Sequence, residues 1–191
     1  MKKFLSLILV TGSLFVLGCG KTPATGIDSN SSVSELTGQA VVERKSYANT
    51  TDAFTLQYPT TRVFKENVFG SSVVFFTPMN TGDTVSENIG IMKKSLDKEY
   101  TLDEYYAIMK PELTKLVPEF TEVSNESIKI NDVNAQKLIY KGTEGSKKLQ
   151  WEQVYLIKNK AVYIITYTAL EDTFNQFNQT LDEMIATLEI K

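Results

Sequence analysis

The chain has 191 residues, 23 acids against 20 bases, a single cysteine and no histidine. The missing histidine excludes imidazole acid–base catalysis, His-based triads and His-ligated zinc, and one cysteine forms neither an intrachain disulfide nor a multi-thiolate metal site. Net acidity argues against nucleic acid as a partner, because a phosphate backbone wants a basic face, and the length allows one ordinary domain with appendages.

Residues 1–18 carry Lys2 and Lys3 ahead of an apolar run from Phe4 to Leu17, and no acid. Spanning a bilayer takes about 20 apolar residues and a secretory signal about 7–15, so residues 1–18 predict export rather than a membrane span. Directly behind the run, Val16-Leu17-Gly18-Cys19 resembles the lipobox of bacterial lipoproteins, with a branched residue at minus three, a small one at minus one and then cysteine. The resemblance implies a diacylglycerol thioether on Cys19, cleavage in front of it and acylation of the new amino terminus. Each buried acyl methylene adds about 0.8 kcal/mol, so two or three chains hold a protein on a bilayer where one does not. Cys19 is therefore the expected lipidation site and membrane contact. Without Lys2 and Lys3 the bases fall to 18 against 23 acids, a formal charge of −5.

Residues 19–45 follow as the lipidated cysteine and a linker; from Gly20 to Gln39 the chain is rich in Ser, Thr and Gly, a composition that behaves as flexible coil. The segment Ala40 to Tyr47 reads equally as a helix end, a first strand or the end of the linker.

Beyond it, residues 46–191 predict a single strand-rich domain. Phe54, Leu56 and Tyr58 alternate with polar neighbours and stop at Pro59. Residues 72–78 are apolar on both faces, and the turn Asn80-Thr81-Gly82-Asp83 follows. Short strands are expected around Ile89 and Ile91, around Ile128 and Ile130, and over 134–142. The segments 149–157 and 161–169 flank Lys158-Asn159-Lys160, where Asn159 suits the positive φ of a tight hairpin. Over 101–117, Thr101 and Glu104 form a capping box ahead of apolar residues at helical spacing, with a kink or a break expected at Pro111. Over 171–188, Phe174, Phe177, Leu181, Met184, Ile185 and Leu188 draw one helical stripe.

Tyr163, Ile165 and Tyr167 fall on one face of their strand, and Val162 and Ile164 on the other. A strand apolar on both faces is covered from both sides. Two amphipathic helices are available to cover it, so the expected class is α+β, an αβα sandwich around a mainly antiparallel sheet.

The order of FTLQYP, VVFFTP, ENIGIM, TLDEYY, VNAQKLIY and WEQVYLIKNKAVYIITYTA, closed by an F-x-x-F-x-x-x-L-x-x-M-I helix, resembles the PsbP-like family over residues 50–191. That family includes the extrinsic subunit of photosystem II and shares its fold with the Ran-binding Mog proteins and with bacterial lipoproteins. The resemblance implies the same αβα sandwich. One departure follows Tyr58-Pro59, where the family commonly has a tryptophan and this chain offers Val63 and Phe64. No ligand or partner residue of the family can be matched to a position here.

The acid pairs Asp97 and Glu99, Asp103 and Glu104, Glu119 and Glu122, and Asp182 and Glu183 lack the spacing of a calcium-binding loop. Asp103, Glu104 and Glu112 suit helix starts, and the segments 80–83 and 131–134 read first as turns. No G-x-S-x-G or S-x-x-K motif supports a serine hydrolase. Lys93, Lys94, Lys147 and Lys148 read as exposed lysines at strand ends. Trp151, Tyr155, Tyr163 and Tyr167 are expected to tile the sheet beneath a helix, and one of Tyr105 and Tyr106 to lean to a helix rim. No catalytic, cofactor-binding or metal-ligating residue is assigned, and no cofactor is expected. The expected function is a non-catalytic binding or scaffold domain, lipid-anchored on the outer face of the cell membrane, with an envelope protein or complex as partner. A carboxylate or Ser-Lys hydrolase, or an accessory photosystem subunit in an oxygenic phototroph, are the alternatives.

Overall fold

A computed structural model describes residues 42–79, 81 and 83–191. The expected signal peptide, Cys19 and the linker up to residue 41 lie outside the described residues, as do Asn80 and Gly82 of the expected turn. The alternation of side chains builds ten strands. These are β1 (Arg44–Asn49), β2 (Phe54–Pro59), β3 (Val63–Val68), β4 (Ser71–Phe76), β5 (Asn88–Ser95), β6 (Thr121–Ile130), β7 (Val133–Glu144), β8 (Lys147–Lys158), β9 (Ala161–Leu170) and β10 (Glu189–Ile190). Two helices interrupt them, α1 (Leu102–Leu116) and α2 (Asn178–Ala186). A seven-stranded sheet runs β3-β4-β5-β9-β8-β7-β6 and a three-stranded sheet runs β1-β2-β10, with antiparallel pairing throughout.

The expected α+β sandwich is observed. On one face of the large sheet, α1 buries Tyr105, Met109 and Leu113 against Leu138, Tyr140, Trp151, Tyr155, Val162 and Ile164. On the other face, α2 and the small sheet together cover Val73, Phe75, Ile89, Val154, Ile165 and Tyr167. The parity of β9 decides this: its odd-numbered residues join one core and Val162 and Ile164 the other. Trp151 and Tyr155 therefore lie beneath α1, whereas Tyr163 and Tyr167 lie on the opposite face, so the four aromatics do not share one layer. Among the described residues no helix is long and apolar enough to cross a membrane.

Several local expectations hold in detail. Thr101 caps α1, its Oγ1 accepting from the Glu104 amide at 3.1 Å while Glu104 accepts from the Thr101 amide at 2.8 Å. The β8–β9 hairpin closes through Asn159 and Lys160, both at φ 54°. Tyr105 is buried and Tyr106 leans to the rim, where its hydroxyl donates to Glu122.

Other expectations are corrected. Helix α1 continues through Pro111, whose ring sits on the exposed side and so meets no packed layer. Glu112 is not at a helix start; it pairs with Lys115 at 2.8 Å along the same helix. The closing helix does not begin at 171: a 3₁₀ turn covers Phe174–Gln176 and α2 starts only at Asn178. The Tyr167 hydroxyl donates to the Phe174 carbonyl at 3.0 Å, engaging the acceptor that an uninterrupted helix would offer to residue 178. The undecided segment before Tyr47 enters β1, and β3, which no alternation announces, forms an edge strand exposed along most of its length. Lys94 is not a fully exposed strand-end lysine; its ammonium is buried without a hydrogen-bond partner, and desolvation lowers its pKa.

Candidate functional site

Two hairpins and the start of α1, far apart in sequence, meet at one end of the large sheet. The β8–β9 turn is held beside the chain leading into α1 by the Leu96 amide, which donates to the Lys160 carbonyl at 2.8 Å. The β6–β7 turn, with Asn131 at φ 52°, stands alongside, and the Asn131 side chain donates to the Leu188 carbonyl at 2.9 Å. Between them and the capped start of α1 lies an open groove of about 780 Å³. Such a volume falls within the usual range for small-molecule and peptide sites, about 300–1,000 Å³.

Ile128, Val133 and Ile157 supply the apolar part of its lining, and Glu99, Asp103 and Asp132 the carboxylates. Gln136 is buried at the wall, where its Oε1 accepts from the Ser127 hydroxyl at 3.1 Å and its amide donates to Asn125. Tyr100 stands at the mouth, donating to Asp97 at 2.9 Å with the Lys98 ammonium 4.6 Å from its ring centroid. The hydrogen bond to Asp97 raises the Tyr100 pKa, and the Thr101 amide lowers that of Glu104, so both keep their ordinary charge states at neutral pH. The Thr101 and Glu104 amides at the start of α1 are bound by its own capping box. The groove thus offers apolar floor, side-chain amides and negative charge, with no nucleophile held against a base.

The acid pairs do not assemble elsewhere. Glu122 is bound by Lys110 at 2.8 Å, and Glu183 by Arg44 and by Gln179. Among the described residues no three metal-ligating side chains converge. Asp132, read from the sequence as part of a turn, is in a turn, and it is also a groove wall.

Among the described residues, the one strongly perturbed carboxyl lies away from the groove. Glu152, 3% exposed, sits on the α2 side of β8 with Lys137 Nζ 3.7 Å away, and burial raises its pKa from 4.5 to about 6. A raised carboxyl pKa means that the folded chain holds the proton more tightly than the unfolded chain. The associated stability is fully present below pH 4.5, falls by about 2 kcal/mol as pH rises to 6, and stays constant above. Glu152→Gln is expected to remove that slope in urea titrations run between pH 4 and 7. It should also raise stability at pH 7 by about 1–2 kcal/mol, less than the full amount because Lys137 loses its partner. An unchanged slope would show that Glu152 is charged at no such cost.

The groove was not read from the sequence, because its walls come from residues 99–103, 127–136 and 157–159 and no spacing within any one of them marks a site.

Comparison with known proteins adds the following. No curated protein matches the chain. Among solved structures, the cyanobacterial PsbP (CyanoP) of Synechocystis sp. PCC 6803 superposes with a TM-score of 0.58 at 14% identity, covering 83% of this chain and 98% of that one. LpqN of Mycobacterium tuberculosis, described as involved in cell envelope biogenesis, gives a TM-score of 0.59 at 13% identity, with 80% of this chain and 92% of that one covered. The Saccharomyces cerevisiae Ran-binding protein Mog1p gives 0.57 at 10% identity over 78% and 96%. At such identities the likeness shows a shared fold, and function does not pass with it. The profile of the PsbP-like protein family matches residues 5–190, and with that match over nearly the whole chain, on an antiparallel sheet with a helix on each face, the chain belongs to the PsbP-like family.

Proposed function

We propose that the chain is a lipid-anchored, non-catalytic binding domain displayed outside the cytoplasmic membrane, and that the groove between α1 and the two hairpins holds its ligand or partner. The observation that carries the reading is Val16-Leu17-Gly18-Cys19 behind an apolar run without acids, with no second cysteine to suggest another role. One further point supports it: the groove presents binding surface without a paired nucleophile and base. A photosystem role has no such support, since the likeness to CyanoP at 14% identity concerns the fold alone.

The anchor is tested by Cys19→Ala in the native host. Metabolic palmitate label is expected to vanish and the protein to leave the membrane fraction, since the remaining apolar contact is too short to span. Label that persists on the variant would refute the anchor. Crosslinking in intact cells followed by pull-down then tests the binding role, and its expected result is a reproducible envelope partner.

A further inference from the structure

We infer that the domain docks on the lipid surface that holds its anchor, through an apolar patch at the edge of the large sheet where the chain enters the fold. This rests on the lipid-anchored reading above and adds how the domain sits on the membrane. Eight large apolar side chains are exposed among the described residues, and four of them, Val42, Val63, Phe64 and Met79, gather at this place. The Thr60 amide donates to the Glu43 carbonyl at 2.9 Å and Arg44 lies opposite Pro59, so Val42 arrives beside the turn that leads into β3. The Arg62 amide closes that turn on the Pro59 carbonyl at 3.0 Å, and Val63 follows directly. Val63 lies opposite Phe76, the last residue of β4, and Met79 comes just after that strand. Phe64 stands edge-on to Tyr47 and Tyr58, with ring centroids 5.2 and 5.7 Å away, which fixes it as an aromatic shelf. The other four are spread over the tip of the β3–β4 hairpin, α1 and β6.

The length of chain ahead of Val42 says what covers this patch. Residues 19–41 join the anchor to Val42, so Cys19 holds the domain by this corner. Even fully extended they reach no more than about 80 Å. A domain held so close meets the bilayer repeatedly, and a patch too weak to bind from solution then suffices. Aromatic and aliphatic side chains are what the boundary between headgroups and acyl chains accepts. The exposed charges that flank Val42 and Phe64 along the chain, Glu43 and Glu66 against Lys45 and Lys65, cancel, so docking needs no anionic lipid. The register also fixes what docking leaves free. Val63 shares its row with Phe76, Asn88 and Thr168, whereas the β8–β9 turn that walls the groove begins at the Ala161 end of β9, about 23 Å along that strand. With the patch on the bilayer, the groove faces away from it.

The test uses the full acylated chain, purified from its host in detergent and reconstituted into phosphatidylcholine vesicles. Acylation of Cys19 consumes the chain's one thiol, so Thr61→Cys, in the exposed turn before β3, takes an environment-sensitive nitrobenzoxadiazole label alone. Val123→Cys on β6, the opposite edge of the seven-stranded sheet and about 29 Å across it, carries the same label as reference. The label at 61 is expected to shift to the blue and to be quenched several-fold more strongly by doxyl-labelled lipid than the label at 123. Val63→Ser with Met79→Ser, both exposed in the fold, should abolish most of that quenching and leave the far-UV circular dichroism unchanged. Equal quenching at the two positions, or none at 61, overturns the inference. So does a shift at 61 that doxyl lipid does not quench and that grows with the number of chains per vesicle, since a second copy would then occupy the patch. Flotation separates this inference from the reading beneath it. Chain that floats with the vesicles while position 61 stays unquenched keeps the anchor and removes the docking, and chain that does not float removes both.

Discussion

Trp151→Ala is expected to lower the unfolding free energy by about 3–5 kcal/mol, the range for emptying a large aromatic site in a core. Trp151 is wholly buried beneath α1, its ring stacked on Tyr140 with centroids 5.2 Å apart and planes 17° apart, and Phe120 lies 5.4 Å beyond Tyr140. This aromatic row is what the end of α1 and the chain after it rest on, so little nearby can collapse into the space. Urea denaturation followed by far-UV circular dichroism measures the loss, since the variant removes the chain's one tryptophan. Trp151→Phe is the informative companion. The indole N–H has no hydrogen-bond partner, so phenylalanine sacrifices no bond and should cost under about 1.5 kcal/mol. A phenylalanine variant as unstable as the alanine one would mean that the indole nitrogen is bonded and that the packing account is wrong.

Gly142→Ala is expected to cost about 1–3 kcal/mol, as overpacking of a closed site does. A Cβ there would lie 2.3 Å from Val117 Cγ1 and 2.7 Å from the Pro118 carbonyl oxygen. The valine methyl can be removed, but the carbonyl is fixed, because it accepts from the Thr143 amide at 2.9 Å. Combining Gly142→Ala with Val117→Ala should therefore restore only part of the loss in thermal denaturation. Full recovery would locate the crowding in the side chain alone. The glycine lets the chain leaving α1 press onto β7.

Much of the fold follows from features visible along the chain. Asn159 closes a hairpin because asparagine tolerates positive φ, and Thr101 with Glu104 starts α1 because each bonds the other's backbone. The two-faced pattern of residues 161–168 requires cover on both sides of β9, and both covers are found. In each case the determining contact is between near neighbours or is a parity that any buried strand obeys. The closing helix shows where such reasoning stops. Its apolar stripe is real, yet Tyr167 holds the Phe174 carbonyl from the sheet and defers the helix to Asn178. β3 went unread for the opposite reason: an edge strand exposed on most of its residues carries no alternation to detect.

The sequence by itself determined the α+β class, the start of α1, the tight turn of β8–β9 and the presence of a single cysteine in a lipobox-like setting, because these depend on local bonding and on the two-residue period of strands. Only the tertiary structure decided the order of the seven strands, the beginning of α2 and the groove. The strand order and the groove arise from residues far apart in sequence brought together by sheet pairing, and the start of α2 from a sheet tyrosine that holds the Phe174 carbonyl; a carboxylate at 99, one at 132 and a lysine at 158 acquire a common meaning only when the hairpins that carry them stand side by side.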